Sequence, residues 1–393
     1  MKFLVFQKSL LLTAGLALVL TSCFNDLDTV PLDEDILTAD VVFDDPTNYK
    51  RALAKLYASY AVTGQQGPAG QGDISGIDEG FGSYLRMLFY HQELTTDEAL
   101  VGWNDATIKD FHNQSWTSQD GFIFAMYSRI YYTISACNEF LRETTEDKIA
   151  ARGQDSEVQA EVAAYRAEAR LLRALAYYHA LDMFRNVILV TEQDEVGAFL
   201  PDQINADELF AWLETELLAL SEELAPAGAN EYGRADQAAA WMLLAKLYLN
   251  AEVYIGQDRY SDAAKFSKRV IDSGVYQLEE VYQHNFNADN HLSKEIIFPI
   301  TFDGERTQTF GGTTFIINAS VGGSMLPAAY GIQGGWSGLR TTSDFVEKFP
   351  EVGGVVVEPV FDSGENVVLN VPGAYQGWNP EDDNTSLAST GEE

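Results

Sequence analysis

Four of the six tryptophans in this 393-residue chain, Trp103, Trp116, Trp336 and Trp378, stand in loop-like stretches beside Gly, Asn, Asp or Ser. Val101-Gly102-Trp103-Asn104-Asp105 sets an indole next to an amide and a carboxylate. Gly334-Gly335-Trp336-Ser337-Gly338 frames a second indole with glycines, and Tyr330 lies shortly before it. A glycine-rich loop supplies few atoms with which to bury a tryptophan, and an exposed indole wants a flat apolar partner. A sugar ring offers such a face through its axial C–H groups, while its hydroxyls need donors and acceptors at the edge, such as Asn104 and Asp105 carry. The opposite reading, a loop anchor packed on the body of the fold, stands beside this one for each tryptophan.

Bond-making chemistry finds less support. The histidines are His91, His112, His179, His284 and His291, and none falls in HExxH or at another paired-ligand spacing. No metal and no cofactor is therefore expected. Cys137, in Ile134-Ser135-Ala136-Cys137, reads as a small buried hydrophobe. There is no nucleophile elbow, Walker loop or dinucleotide fingerprint. Asp97-Glu98 and the acids Glu192, Asp194 and Glu195 put carboxylates near one another, but among 59 acidic residues such neighbours arise by chance. A glycosidase pair needs opposed carboxylates about 5–9.5 Å apart, which spacing in sequence does not establish. The expectation is a binding protein with no catalytic residue.

The elements that must position these loops are helical. Val158, Val162, Tyr165, Ala169, Leu172, Ala176, His179 and Met183 form one stripe at alternating fours and threes, which predicts a helix over 156–185. His179 on that stripe is expected in the core, and Glu161, Glu168 and Arg170, which lie off it, are expected to be solvated. Further helices are expected over 46–60, 121–142, 206–224, 235–254 and 260–273, with Trp212 and Trp241 in the core and Gly274 as a left-handed C-cap. Trp241, Leu244, Ala245 and Tyr248 match the first-helix spacing of a tetratricopeptide repeat, although a polar stretch over 253–258 delays the second helix. The fold class expected is mainly α: tetratricopeptide-like helix pairs in a superhelix, with a loop-rich ligand-binding face and a few short strands. Glycine crowds residues 61–82 and returns after about residue 304, and β-prone runs occur over 313–317, 355–357 and 367–371.

Charge narrows the partners. With 59 acidic and 25 basic residues the net charge is −34, which repels phosphate backbones, so nucleic acid is excluded as a partner. A hydrophobic fraction of 46% excludes wholesale disorder. The N-terminus carries Lys2 and Lys8 and then an apolar run over 10–20, shorter than the roughly 20 residues that a membrane span needs and fitting a secretory h-region. Leu20-Thr21-Ser22-Cys23 resembles the bacterial lipobox, so Cys23 is the expected lipidation site and the lipid the anchor of an exported, tethered protein. The expected organisation is a signal peptide over 1–22, a lipidated tether over 23–40, a helical body over 41–281 with a loop insertion over 61–120, a loop-rich segment over 282–375 and an acidic tail over 376–393.

Ala164-Tyr165-Arg166-Ala167-Glu168-Ala169-Arg170-Leu171-Leu172-Arg173-Ala174-Leu175-Ala176-Tyr177-Tyr178, continuing to Phe184-Arg185-Asn186-Val187-Ile188-Leu189-Val190-Thr191, resembles the most specific stretch of the SusD/RagB family of Bacteroidetes surface lipoproteins. Asn186 and Ile188 depart from the family's usual turn. Leu94-Thr95-Thr96-Asp97-Glu98 before a tryptophan, Gly233-Arg234-Ala235, Asp262-Ala263-Ala264, Ser273-Gly274-Val275-Tyr276 and the segment 342–350 add matches in order. The resemblance covers about residues 20–350.

The resemblance implies helix pairs under a loop-rich face, binding of oligosaccharide at the cell surface, and partnership with a SusC-type TonB-dependent outer-membrane transporter that the protein caps as a lid. It places Trp103 and Trp336 in an aromatic arc, with Arg86 and Asp78 as polar partners and Asn104, Phe315 and Tyr330 as further members. The run 95–105 resembles the starch-binding branch, which implies starch or maltooligosaccharide. Peptide capture, as in the RagB branch, and an outer-membrane glycosidase are the alternatives. Members of the family end in a further helix whose pattern this sequence lacks.

Overall fold

The computed structural model describes residues 38–346 apart from 65, 198 and 199, together with Lys348 and the backbone of two later strands. The signal segment 1–22, the lipidation site Cys23, the tether as far as residue 37, the β-prone run 355–357, Trp378 and the acidic tail 376–393 lie outside the described residues.

The chain falls into two units, Met1–Asn48 and Tyr49–Glu393. In the first, a short helix α1 spans Ala39–Asp44. Helix α2, Thr47–Ala61, leads into the second unit, followed by α3 (Tyr84–Glu93), α4 (Ile108–Asn113), α5 (Gly121–Glu143), α6 (Glu146–Ala151) and α7 (Ser156–Phe184). Then come α8 (Ala206–Glu223), α9 (Gln237–Leu249), α10 (Ala251–Ile255), α11 (Tyr260–Ser273), α12 (Gly312–Ser320) and α13 (Ser343–Val346). Strands are short and paired two by two, all antiparallel: β1 (Ala99–Val101) with β4 (Leu339–Thr341), β2 (Val187–Ile188) with β3 (Gln203–Ile204), and β5 (Glu358–Phe361) with β6 (Val367–Asn370). The protein is mainly α.

The long helices start where side chains satisfy their orphan N–H groups. Asp120 accepts from the amides of Phe122 and Ile123, Asp155 from Glu157 and Val158, and Asp236 from Ala238 and Ala239. Asn205 and Glu208 close a reciprocal capping box at α8. Each such cap contributes about 1 kcal/mol. At the other end, Gly274 terminates α11 with φ +65°, the left-handed cap that its position foretells.

Within the second unit α3 packs on α5, α5 on α7, α7 on α8, α8 on α9 and α9 on α11. Each of these long helices meets chiefly the long helix before or after it, the one-dimensional order of a repeat stack. Six helices follow the apolar periodicity to within a residue or two, except that the expected 235–254 helix divides at Asn250 into α9 and α10.

Two expectations are corrected. Glu168 is only 1% exposed although it lies off the apolar stripe of α7. Since α7 is sandwiched between α5 and α8, its flanks are covered too, and Glu168 is held there by Arg234, whose Nε donates at 3.1 Å, and by the Tyr57 hydroxyl at 2.5 Å. The β-prone run 313–317 is the helix α12, because Phe315 and Ala319, one turn apart, bury a common face; packing overrides intrinsic strand preference there. The loop insertion expected over 61–120 also contains α3 and α4. No helix among the described residues is long and apolar enough to cross a membrane.

Candidate functional site

The site is assembled by long-range pairing. Register Ala99↔Thr341, Leu100↔Arg340 and Val101↔Leu339 joins β1 to β4, and Gly102 N–H extends the ladder to the carbonyl of Gly338 at 2.8 Å. This brings the two tryptophan loops together, and the Trp103 Nε1–H donates to the Trp336 carbonyl at 3.1 Å. The Trp336 loop is seated on the end of α12 by bonds from Trp336 N to Asn318 O (2.6 Å), Ser337 N to Val321 O (3.0 Å) and Gly338 N to Ala319 O (2.8 Å). Gly338 has to be glycine: a Cβ there would stand 2.0 Å from Cε2 of Trp103, whose indole lies against its backbone.

Beside these loops opens a cleft of about 650 Å³. Phe81, Phe310 and Trp336 supply aromatic wall, Asp78, Arg86 and Asp105 supply charge, and the buried Tyr90 and Phe122 line its deeper part. Trp336 is half-buried and meets Phe310 edge-on, with ring centroids 5.8 Å apart at 79°. Arg86 projects from α3, 8% exposed, and its guanidinium acts as a clamp: Nε donates to the Tyr90 hydroxyl at 2.8 Å, and Nη1 to the carbonyls of Gly80 and Phe310 at 3.2 Å each. The cation also sits 4.6 Å from the Phe315 ring centre and 5.7 Å from that of Trp103. Nη2 donates to no described residue, which leaves a charged donor for the cleft. Asp78 is exposed; its Oδ1 accepts from Gly80 N (2.8 Å) and Phe81 N (3.2 Å), and that turn aims Phe81.

Of the residues singled out from sequence, Asp78, Arg86 and Trp336 line one cleft. Trp103 stands behind it, half-buried, its ring centroid 6.3 Å from that of Phe315 with the planes at 68°. Asn104 is exposed next to Asp105, and Tyr330 is half-buried at the end of a 3₁₀ turn over Pro327–Tyr330; neither lines the cleft. Phe315 requires a correction: it is wholly buried among Phe89, Tyr90 and Trp103, so its ring supports the site from behind and offers no face to a ligand.

Sequence reasoning missed Phe81 and Phe310. A signal was present, because Phe81 stands between Gly80 and Gly82 and Phe310 precedes Gly311-Gly312, the same aromatic-beside-glycine pattern that marked the tryptophans. Gly311 is glycine for close approach, since a Cβ would fall 1.8 Å from Ser83 Oγ.

Cys137 and His179 lie away from the cleft and are muted. Burial pushes the Cys137 thiol up to about 12, which keeps it protonated and inert. His179 sits in the core, its Nδ1 2.8 Å from the Tyr84 hydroxyl, and burial, with the Lys246 charge adding to it, lowers its pKa to about 3. Among the described residues no three His, Cys, Asp or Glu side chains are grouped to hold a metal ion.

No family model matches the chain. Starch-binding protein SusD of Bacteroides thetaiotaomicron is 34% identical over 343 residues, which make up 86% of this chain and 58% of SusD. A SusD superfamily protein from Parabacteroides distasonis superposes with a TM-score of 0.60 at 23% identity, covering 77% of this chain and 60% of that one. Surface glycan-binding protein A from Bacteroides uniformis superposes with a TM-score of 0.59 at 21% identity, covering 78% of this chain and 62% of that one. At such identities the two superpositions bear on the fold alone. This chain thus spans less than two thirds of the length of each of these proteins. The stacked helices, the ordered sequence motifs and the identity running along most of its residues agree on one conclusion: the chain belongs to the SusD-like family.

Proposed function

We propose that this protein captures a glycan, starch or a maltooligosaccharide, in the cleft beside Trp336, holds it without breaking a bond, and passes it to a SusC-type TonB-dependent transporter of the outer membrane. The observation that carries this reading is the convergence of Asp78, Arg86 and Trp336 on one aromatic-walled cleft. Trp336, Phe81 and Phe310 offer flat faces for the C–H side of sugar rings. The remaining nitrogen of Arg86 and the second oxygen of Asp78 serve as donor and acceptor for hydroxyls at the ring edge. The choice of α-glucan is supported by the 34% identity to a protein named for binding starch. Attachment to the outer membrane is supported by the lipobox ending at Cys23, with the tether and its lipid keeping the acidic body at the surface.

Affinity electrophoresis of the full chain, in gels with and without starch, tests the proposal, with Trp336→Ala beside it. Starch is expected to retard the wild type, and the substitution to cost at least about fivefold in affinity, the scale of a stacking hot spot, about 1–3 kcal/mol. Release of reducing sugar by the purified protein would overturn the non-catalytic reading. Folded protein that starch does not retard would remove starch as the ligand, and binding of peptides in its place would transfer the cleft to peptide capture.

A further inference from the structure

Trp116 is the one loop tryptophan among the described residues that the cleft leaves unexplained. It is 43% exposed, yet its loop is firmly held. Ser115 donates through its backbone to Asp110 O at 3.0 Å and through Oγ to Asp110 Oδ1 at 3.2 Å. Gln114, in the left-handed region at φ +54°, caps α4 and donates through Nε2 to Thr95 O at 3.3 Å. The buried ring of Phe111 backs the indole, with centroids 6.4 Å apart and planes tilted by 33°. An aromatic side chain held in this way and still left in water is presented for contact, since a large indole gains most by burial.

The geometry points to a second stacking platform at Trp116, which takes the far end of a glycan too long for the cleft alone; it rests on the glycan reading of the cleft and extends it. Asp105, Ala106 and Thr107 line the cleft and run straight into α4, whose six residues span about 9 Å before Trp116 is reached. By another route, Phe111 lies 6.2 Å from Phe122, a lining residue, so the two sites share a continuous aromatic backing. The rim chemistry selects the ligand. Residues 112–119 read His-Asn-Gln-Ser-Trp-Thr-Ser-Gln, with no Asp, Glu, Lys or Arg in a chain of net charge −34. All eight are exposed. Amides and hydroxyls on both sides of an indole suit a neutral, hydroxyl-rich chain, and the carboxylate of Asp110 beside them is engaged by Ser115 Oγ.

Isothermal titration of the full chain with maltotriose and maltoheptaose tests the platform. Trp116→Ala is expected to weaken maltoheptaose about five- to tenfold and to leave maltotriose within about twofold, while Trp116→Phe, which keeps a ring, retains most of the long-chain affinity. Trp336→Ala is expected to weaken both sugars. If Trp116→Ala binds maltoheptaose like the wild type while Trp336→Ala loses it, the platform is overturned and the cleft stands. Equal weakening of both sugars by Trp116→Ala would also overturn it, because the effect would then run through the cleft. Wild-type protein that binds neither sugar would overturn the α-glucan reading of the cleft together with the platform.

Discussion

The indole N–H of Trp103 donates to the backbone carbonyl of Trp336 across 233 positions of sequence. Two tryptophans that sequence alone presents as independent platforms are therefore one unit, in which Trp103 braces the loop that aims Trp336 into the cleft. Trp103→Phe removes this bond and keeps most of the apolar contact with Phe315. A loss of about 1 kcal/mol in unfolding free energy is expected, the net worth of one hydrogen bond. Starch affinity should fall less than with Trp336→Ala. Urea titration with parallel gel retardation checks both parts, and a larger binding loss for Trp103→Phe than for Trp336→Ala would mean that Trp103 itself touches the sugar.

Arg86 joins walls that come from distant parts of the chain, the Gly80 and Phe310 carbonyls, while its Nε holds Tyr90. A lysine keeps the charge but replaces a planar fork by a single point, and it cannot reach three acceptors at once. Arg86→Lys is expected to cost about 1–3 kcal/mol of stability, the penalty for buried acceptors left unpaired. It should also weaken glycan binding more than its charge alone would suggest. Thermal denaturation and starch-gel mobility would show this; unchanged mobility with lowered stability would confine Arg86 to a purely structural part.

How much of this was legible before the structure depends on the range of the interaction. The period of α7 and its neighbours was plain, since local spacing alone sets which side chains share a helical face. That same local logic failed at Glu168, because whether an off-stripe position meets water depends on how many helices surround it. It failed at Phe315 for a related reason: strand preference is decided by neighbours, and Phe315 and Ala319 found theirs on a helix. The aromatic-glycine pattern marked two loops that the fold brings together. It left open which ring lines the cleft, and that depends on the β1–β4 pairing and on the close approach of Gly338 to Trp103, neither of which has a local signature.

Glu168 in the core of the stack is tied to Arg234 by two hydrogen bonds and to Tyr57 by a third, and the Tyr57 hydroxyl in turn accepts from Ala235 N at 2.9 Å. This joins α2, α7 and the start of α9 through one carboxylate. Arg234→Ala leaves a charge 1% exposed with its cation gone, and a cost of about 3–5 kcal/mol is expected. Adding Glu168→Gln should recover part of it, because the neutral amide is cheaper to keep buried without a cation. Urea midpoints of the single and double variants decide the matter; additive losses would show that the two side chains act independently.

His179 makes stability depend on pH in a defined window. Burial, reinforced by the Lys246 charge, lowers its pKa from 6.5 to about 3, so the folded protein keeps the imidazole neutral with Nδ1 beside the Tyr84 hydroxyl. Once unfolded, the ring takes up a proton below about 6.5. Between these values the unfolded state binds more protons than the folded one, so the histidine's contribution is complete above pH 6.5 and is lost progressively as pH falls toward 3. His91, also lowered by burial, acts in the same direction. Glu192, where burial is outweighed by the Arg173 guanidinium, is held below its usual 4.5 and gives up its share only beneath that value. Glu93, raised above 4.5 by burial and by Glu98, works in the opposite direction, so the comparison of wild type with His179→Gln from pH 6.5 to 5 is what singles out the histidine. Wild-type urea midpoints should drop across this interval, and His179→Gln, which can still accept from Tyr84 but takes no proton, should start lower and fall less steeply. Parallel slopes for the two proteins would show that His179 is not the group being protonated on unfolding.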